Sequence, residues 1–200
     1  MHKVFISYHH GNDQSYKNGL IEYGKHYGVF IDKSVDTGKI DDRLSDQAIR
    51  EKIRDEHLRD STVTILLAGT ETKWRKHIDW ELYSSMFDGP RNKKSGILVI
   101  NLPSAACSYF NAAYGEDEKR LIYPDINSWV NISARAEQKR RFPHLPERII
   151  DNLVAPGARI SIVPWGRLTP DSLEFLIDQA FNRRTECEYD LSRPMRRKNA

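Results

Sequence analysis

Apolar residues in this chain fall into short runs separated by polar, glycine-bearing stretches, and the period within the runs alternates between strand-like and helix-like. Lys3 to Tyr8 is a β-rich run that stops at His9-His10-Gly11-Asn12-Asp13. Tyr16, Leu20, Tyr23 and Tyr27 then recur at helical spacing, which predicts a helix from Ser15 to Tyr27 ended by Gly28. Gly19 and Gly24 weaken that helix by up to about 1 kcal/mol each relative to alanine. A short strand, Val29 to Ile31, leads into a polar loop from Asp32 to Leu44 that carries Asp32, Asp36, Gly38, Asp41 and Asp42. Ser45 is placed to cap a helix whose narrow apolar stripe is Ala48, Ile49 and Ile53. Ser61 to Ala68 is apolar at nearly every position from Val63 on, the pattern of a central strand covered on both faces. Gly69-Thr70 turns the chain toward a helix that runs to about Asp88, where Gly89-Pro90 stops it. Ile97 to Leu102 is a second buried strand, closed by Pro103.

The order β-α-β-α-β-α-β predicts an α/β fold, a parallel sheet wound with helices on both faces. The last unit is the strand Arg159 to Val163 and the helix Pro170 to Arg184, with Thr169 as cap and Pro170 in the first turn. The 103–158 segment is far longer than a compact fold needs there. Its tyrosines, phenylalanines and Trp129 predict an ordered insertion, with short helices over Ser133 to Phe142 and Pro146 to Leu153. The expected organisation is therefore a single domain over 1–185, with an insertion at 103–158 before the last strand, and a basic tail at 186–200.

Composition narrows the function classes. An apolar content of 39% with 30% charged residues describes an ordinary globular chain. No run of about 18 apolar residues occurs, so no membrane span is expected. The start of the chain lacks the apolar core and cleavage site of a signal peptide, and the two cysteines, Cys107 and Cys187, form neither a disulfide framework nor a zinc pattern. A reducing, cytoplasmic location is the expectation. The net charge is only +3, and much of the excess sits in Arg193, Arg196, Arg197 and Lys198. A solvated, frayed tail accounts for that cluster better than a nucleic-acid or membrane arm. No other stretch interleaves basic and aromatic residues, so nucleic acid is not an expected partner.

Several chemistries lack their motifs. No Gly-x-Gly-x-x-Gly follows the first strand, and no phosphate loop ends in Gly-Lys-Ser/Thr. The end of the third strand reads Leu67-Ala68-Gly69-Thr70, without the aspartate of a phospho-accepting receiver. Ser7 is not in a Gly-x-Ser-x-Gly elbow. His9 and His10 with Asp36 match no metal-ligand spacing, so no metal is expected.

What remains is Glu81. In Trp74-Arg75-Lys76-His77-Ile78-Asp79-Trp80-Glu81-Leu82, the residues Ile78, Leu82 and Ser85 share the helix face expected to meet the sheet, with Trp74 and Glu81 on its flank. Trp80, Tyr83 and Phe87 form a second apolar stripe, expected to meet the insertion or, in a homo-oligomer, a second subunit. His77 lies one turn before Glu81 and within its reach. Spacing alone leaves two readings open: a boundary glutamate paired with Arg75, Lys76 or His77, or a carboxylate placed for chemistry. The ends of parallel strands gather at one sheet edge. Ser7, Tyr8, His9, the loop around Asp36, Thr70, His77 and Glu81 would then share one crevice.

These residues resemble a known family. Val4-Phe5-Ile6-Ser7-Tyr8-His9-His10 is similar to the first-strand box of TIR domains, and Asp32-Lys33-Ser34-Val35-Asp36 sits where the loop after their second strand begins. Ser61 to Gly69, followed by Thr70, Arg75, His77, Ile78, Asp79, Trp80, Glu81 and Leu82, resembles the bacterial TIR-like family that includes the TIR subunit of Thoeris anti-phage systems. The resemblance covers roughly residues 1 to 102. It implies a flavodoxin-like fold with a five-stranded parallel sheet. It also implies cleavage of the nicotinamide–ribose bond of NAD, a substrate here and not a bound cofactor, with Glu81 as the catalytic carboxylate. Ser7, Tyr8, His9, Asp36, Thr70 and His77 would line the substrate site. An ADP-ribose-derived nucleotide, linear or cyclic, would then signal to a downstream NAD- or nucleotide-sensing effector protein. One departure is that many TIR domains place a tryptophan a few residues before the glutamate, where this chain has His77, with Trp74 one turn earlier. A non-catalytic TIR module acting through self-association is the alternative, although such a module requires neither Glu81 nor the histidine-rich strand end. A nucleoside hydrolase would need further carboxylates near the first strand, where only Asp13 is close.

Overall fold

The computed structural model describes residues 1–34, 40–41, 43–58, 60–90 and 93–199. Among these, five strands form one parallel sheet: β1 (His2–Ser7), β2 (Phe30–Asp32), β3 (Val63–Ala68), β4 (Gly96–Asn101) and β5 (Ser161–Pro164), in the order β2-β1-β3-β4-β5. All residues of β3 and β4 are buried, as their continuous apolar runs predict. This order reverses direction between β1 and β3, so the carboxyl ends of those two strands flank the crevice where open α/β sheets bind ligands.

Helices α1 (His10–Tyr27) and α7 (Pro170–Arg183) cover one face, packing Leu20, Leu173, Leu176 and Ile177 onto Val4, Ile6, Ile65 and Leu98. Helices α2 (Asp46–Lys52) and α3 (Lys76–Met86) cover the other. The local signals in the sequence act as expected at several ends. Ser45 Oγ accepts from the Ala48 amide at 3.2 Å to cap α2. Thr169 and Ser172 form a reciprocal capping box on α7. Gly28 closes α1 in the left-handed conformation, at φ 67°.

Four expectations need correction. First, α1 begins at His10, not at Ser15, so the polar run that ends the first strand is already its first turn. Second, the insertion holds three helices instead of two: α4 (Glu116–Ile122), α5 (Arg135–Arg141) and α6 (Glu147–Val154). It straddles the β5 edge, with Tyr114, Ile122 and Tyr123 on the α7 side and Phe142, Leu145, Ile149 and Ile150 on the α3 side. An isolated bridge between Asn111 and Ile162 shields β5, which would otherwise be an open edge.

Third, the Trp80 stripe of α3 is covered mainly by α2 and the tail, and the insertion reaches it only at Tyr83, where the Arg148 guanidinium lies 4.8 Å over the ring. Trp80 is fully buried against Phe5, Ile49, Ile53, Leu58 and Met195. The insertion instead covers the Ile78–Leu82–Met86 face, together with the sheet. Fourth, the basic tail is docked, not frayed. Met195 is buried, the Arg196 carbonyl accepts from Trp80 Nε1 at 2.7 Å, and the Arg196 amide donates to Asp79 Oδ2 at 2.8 Å. Arg148, completely buried on α6, forks onto Asp79 at 2.8 and 3.0 Å and also donates to the carbonyls of Arg193 and Pro194. α3 is thus clamped on its outer flank by the insertion and the chain terminus.

Candidate active site

Ser7 is the last residue of β1, and the strand's alternation puts it on the same face as Phe5, toward α3. Glu81 reaches the same point from the second turn of α3 and is only 4% exposed. The Ser7 hydroxyl donates to Glu81 Oε2 at 2.6 Å, across a sequence separation of 74 residues. The bond closes the crevice between the carboxyl ends of β1 and β3 and fixes one oxygen of the carboxylate.

The chain between β3 and α3 is built to hold this geometry. After Ala68 the Thr72 hydroxyl accepts from the Gly69 amide at 2.8 Å, and a 3-10 turn over Thr72–Trp74 hands the chain to α3. Farther along the helix, Ser85 Oγ meets Thr64 Oγ1 at 2.8 Å, and Ile78 and Leu82 pack on Leu66 and Ala68, so the sheet-facing stripe read from the sequence is the observed one. Gly69 is constrained by a neighbour. A Cβ there would lie 2.6 Å from Asp13 Oδ2, so any larger residue would displace the Asp13 carboxyl from its place over the end of β3.

Asp13 is buried, its Oδ2 has no hydrogen-bond partner, and burial, followed by the nearby Glu71 charge, holds its pKa above the ordinary range. His9, at the start of α1, is half-buried with Nδ1 unpartnered. Burial pushes its pKa down, and the Arg75 charge pushes the same way, against Glu71. The imidazole is therefore neutral at pH 7. Glu71 and Arg75 form an ion pair at the mouth of the crevice. Sequence reasoning missed this pair and placed Asp13 in a loop. The signal available was Gly69, a glycine directly after a buried strand.

The other residues proposed from sequence are placed as follows. The pleat turns Tyr8 to the α1 face, where its hydroxyl donates to Gln14 Oε1 at 2.6 Å and its ring stacks on His10 at 4.4 Å, so it does not join Ser7 and Glu81. Thr70 is exposed, and its carbonyl lies 2.9 Å from His144 Nδ1 of the insertion. His77 packs its ring against Trp80 at 4.9 Å, on the flank of α3 that faces the tail. Asp36 lies outside the described residues, but the start of its loop is pinned, because Ser34 Oγ accepts from the Ile6 amide at 2.9 Å. Trp80 is sealed in the core, whereas Trp74 is 40% exposed, with Lys73 and Arg196 over its ring. Among the described residues no cluster of acidic, histidine and cysteine side chains has metal-binding geometry, and no helix is long and apolar enough to cross a membrane.

A buried carboxylate held by a hydroxyl at a sheet switch point can bond sugar hydroxyls and stabilise positive charge. Comparison with known proteins bears on what it serves. No curated protein matches the chain. Residues 5–106, from β1 through the turn after β4, match the family model described as Thoeris protein ThsB, TIR-like domain. The matched stretch contains Ser7, His9, Asp13, Gly69 and Glu81, while the insertion beyond residue 106, β5, α7 and the tail lie outside it. With half of its length in that match, and with the five-stranded parallel α/β sheet expected of a flavodoxin-like TIR fold, this chain belongs to the ThsB TIR-like family of Thoeris defence systems.

Proposed function

We propose that this protein is an anti-phage defence enzyme that cleaves the nicotinamide–ribose bond of NAD and releases an ADP-ribose-derived signal nucleotide for a partner effector. The observation that carries this reading is the Ser7–Glu81 hydrogen bond at the β1/β3 crevice. In NAD the nicotinamide nitrogen bears a positive charge. As the bond to the ribose anomeric carbon breaks, its electron pair passes to that nitrogen and nicotinamide leaves neutral. Positive charge builds on the ribose, in an oxocarbenium-like transition state. A fixed carboxylate near that carbon stabilises the charge and accepts hydrogen bonds from the ribose hydroxyls. No general acid is needed at the leaving group, so one glutamate suffices.

Water, or a hydroxyl of the bound nucleotide, then attacks the anomeric carbon and loses a proton. In the second case the product is cyclic. Ser7 holds Oε2 of Glu81 at the end of β1 and so orients the carboxylate. A neutral His9 adds no positive charge to a crevice that must favour a cation, and is able to accept a hydrogen bond.

The test is purified protein with NAD, with nicotinamide and ADP-ribose products read by mass, in the presence and absence of phage lysate. The expected outcome is turnover by the wild type and none by Glu81→Gln, with both proteins equally folded by circular dichroism. Equal turnover by the two would end the assignment. A folded wild type with no turnover under either condition, together with concentration-dependent assembly, would identify a non-catalytic scaffold.

A further inference from the structure

At the edge of the sheet opposite Glu81, α2 does not end cleanly but widens into a π-helical turn, Ile53–His57. Such turns change the direction of individual side chains and recur at functional positions. Here Ile53 stays in the core while Arg54 is only 7% exposed. Its Nε has no hydrogen-bond partner, and its one hydrogen bond among the described residues is a long one, from Nη1 to Ser95 Oγ at 3.4 Å. Ser95 lies just before β4, so the guanidinium points at the amino-terminal edge of the sheet.

A buried guanidinium is ordinarily paired, because desolvating a charge costs several kcal/mol in the absence of a counter-charge. Asp55 and Asp88 act on Arg54 from a distance, and among the described residues neither forms an ion pair with it. Burial outweighs both and draws its pKa down to about 10. A cavity of about 350 Å³ adjoins it, lined also by Arg50, Glu51, Asp55, Phe87, Gly89 and Pro90. Arg50 is one turn before Arg54, and its guanidinium lies 3.8 Å over the Phe87 ring. Glu51 is turned outward, where it pairs with Arg50 and Gln47.

We propose that this cavity is a binding site for a small phosphate-bearing anion, held between the guanidinium groups of Arg54 and Arg50. Guanidinium forks match phosphate oxygens, and two of them offset the charge of close to −2 that a phosphate monoester carries. Arg54 lines the cavity, and its long bond to Ser95 leaves the guanidinium with donor capacity for an anion. Phe87 and Pro90 form an apolar wall that suits a ring attached to the phosphate. The site is remote from Glu81 and independent of the reaction assigned to it. Phe87 nevertheless caps the carboxyl end of α3, so an occupant would touch the helix that carries Glu81.

The probes are inorganic phosphate, pyrophosphate and adenosine monophosphate, titrated into the full chain by calorimetry at constant ionic strength, with chloride as the control anion. Saturable binding of at least one phosphate probe is expected, weakened tenfold or more by Arg54→Met and several-fold by Arg50→Ala. Arg54→Lys should bind more weakly than the wild type and more tightly than Arg54→Met, since it keeps the charge and loses the fork. No saturable binding by the wild type, or unchanged affinity in Arg54→Met, would overturn the site. Should Arg54→Met fail to fold, Arg50→Ala decides: unchanged phosphate affinity there overturns the proposal.

Discussion

Helix α3 carries two buried acids, Asp79 and Glu81, on opposite flanks, and their partners differ in kind. On the outer flank, Asp79 accepts from Nε and Nη2 of the Arg148 guanidinium and from a backbone amide of the tail. On the inner flank, Glu81 meets a serine hydroxyl where two parallel strands end. A carboxylate whose oxygens are taken by a buried guanidinium has its charge matched and its lone pairs filled, which makes it a structural fastener. Glu81 is oriented by the Ser7 hydroxyl at a strand end, where a ligand of the sheet edge would meet it. A third buried acid, Glu118 of α4, has neither role. It accepts from the Tyr114 amide and the Ser161 hydroxyl, and burial raises its pKa to about 7. Burial of an acid is therefore no guide to function until its partners are known.

The largest effect should come from the inner flank. Glu81→Gln keeps the shape and the Ser7 contact but removes the charge. NAD turnover should fall by about 10³-fold or more, the scale of a transition-state electrostatic contribution, while the urea midpoint stays near wild type. The reverse pattern is expected on the outer flank. Arg148→Met leaves Asp79 buried and uncompensated, which should cost about 3–5 kcal/mol in urea unfolding. Adding Asp79→Leu should restore part of that loss. If Arg148→Met instead left stability unchanged, the contrast between the two flanks would collapse.

A smaller change should follow Ser7→Ala. Losing a hydrogen bond to a charged group is worth about 1.5–3 kcal/mol, so turnover should drop roughly ten- to a hundredfold through kcat, because the carboxylate loses its orientation. Glu118 offers the smallest effect, with a definite sign. Its folded pKa lies above the ordinary value of 4.5, so between pH 4.5 and about 7 the folded state binds more protons than the unfolded state. Its contribution to stability is therefore present below pH 4.5 and is lost as pH rises through about 7. Glu118→Gln removes that loss, and its amide can occupy the place of the unpartnered Oε1. The variant should gain about 2 kcal/mol relative to wild type at pH 8 and little at pH 4, measured by chemical denaturation at both pH values.

The parts legible in the sequence are those whose signal is local. Continuous apolar runs marked β3 and β4 because strands covered on both faces need apolar side chains at every position. The capping serine and threonine of α2 and α7 act within one turn of themselves. The start of α1 was hidden because Gly11 and Asn12 are poor helix formers, and the seat that Gly69 provides for Asp13 belongs to a distant part of the chain. Tyr8 was grouped with Ser7 by adjacency, yet neighbours on a strand point to opposite faces. The docking of the tail was invisible for a similar reason. Arg193, Arg196 and Arg197 read as a solvated cluster, while the groups that hold this segment, Asp79, Trp80 and Arg148, come from a helix and an insertion far away in sequence.

By itself, then, the sequence determined the α/β alternation, the buried central strands, the family boxes and the presence of a carboxylate on the flank of α3, because periodicity, turn residues and motif spacing act over one or two turns. Which group holds Glu81 at the crevice, what covers the opposite flank of α3 and how the tail is held were decided only by tertiary structure. Those outcomes depend on contacts between groups 69 to 117 residues apart, for which local spacing carries no signal.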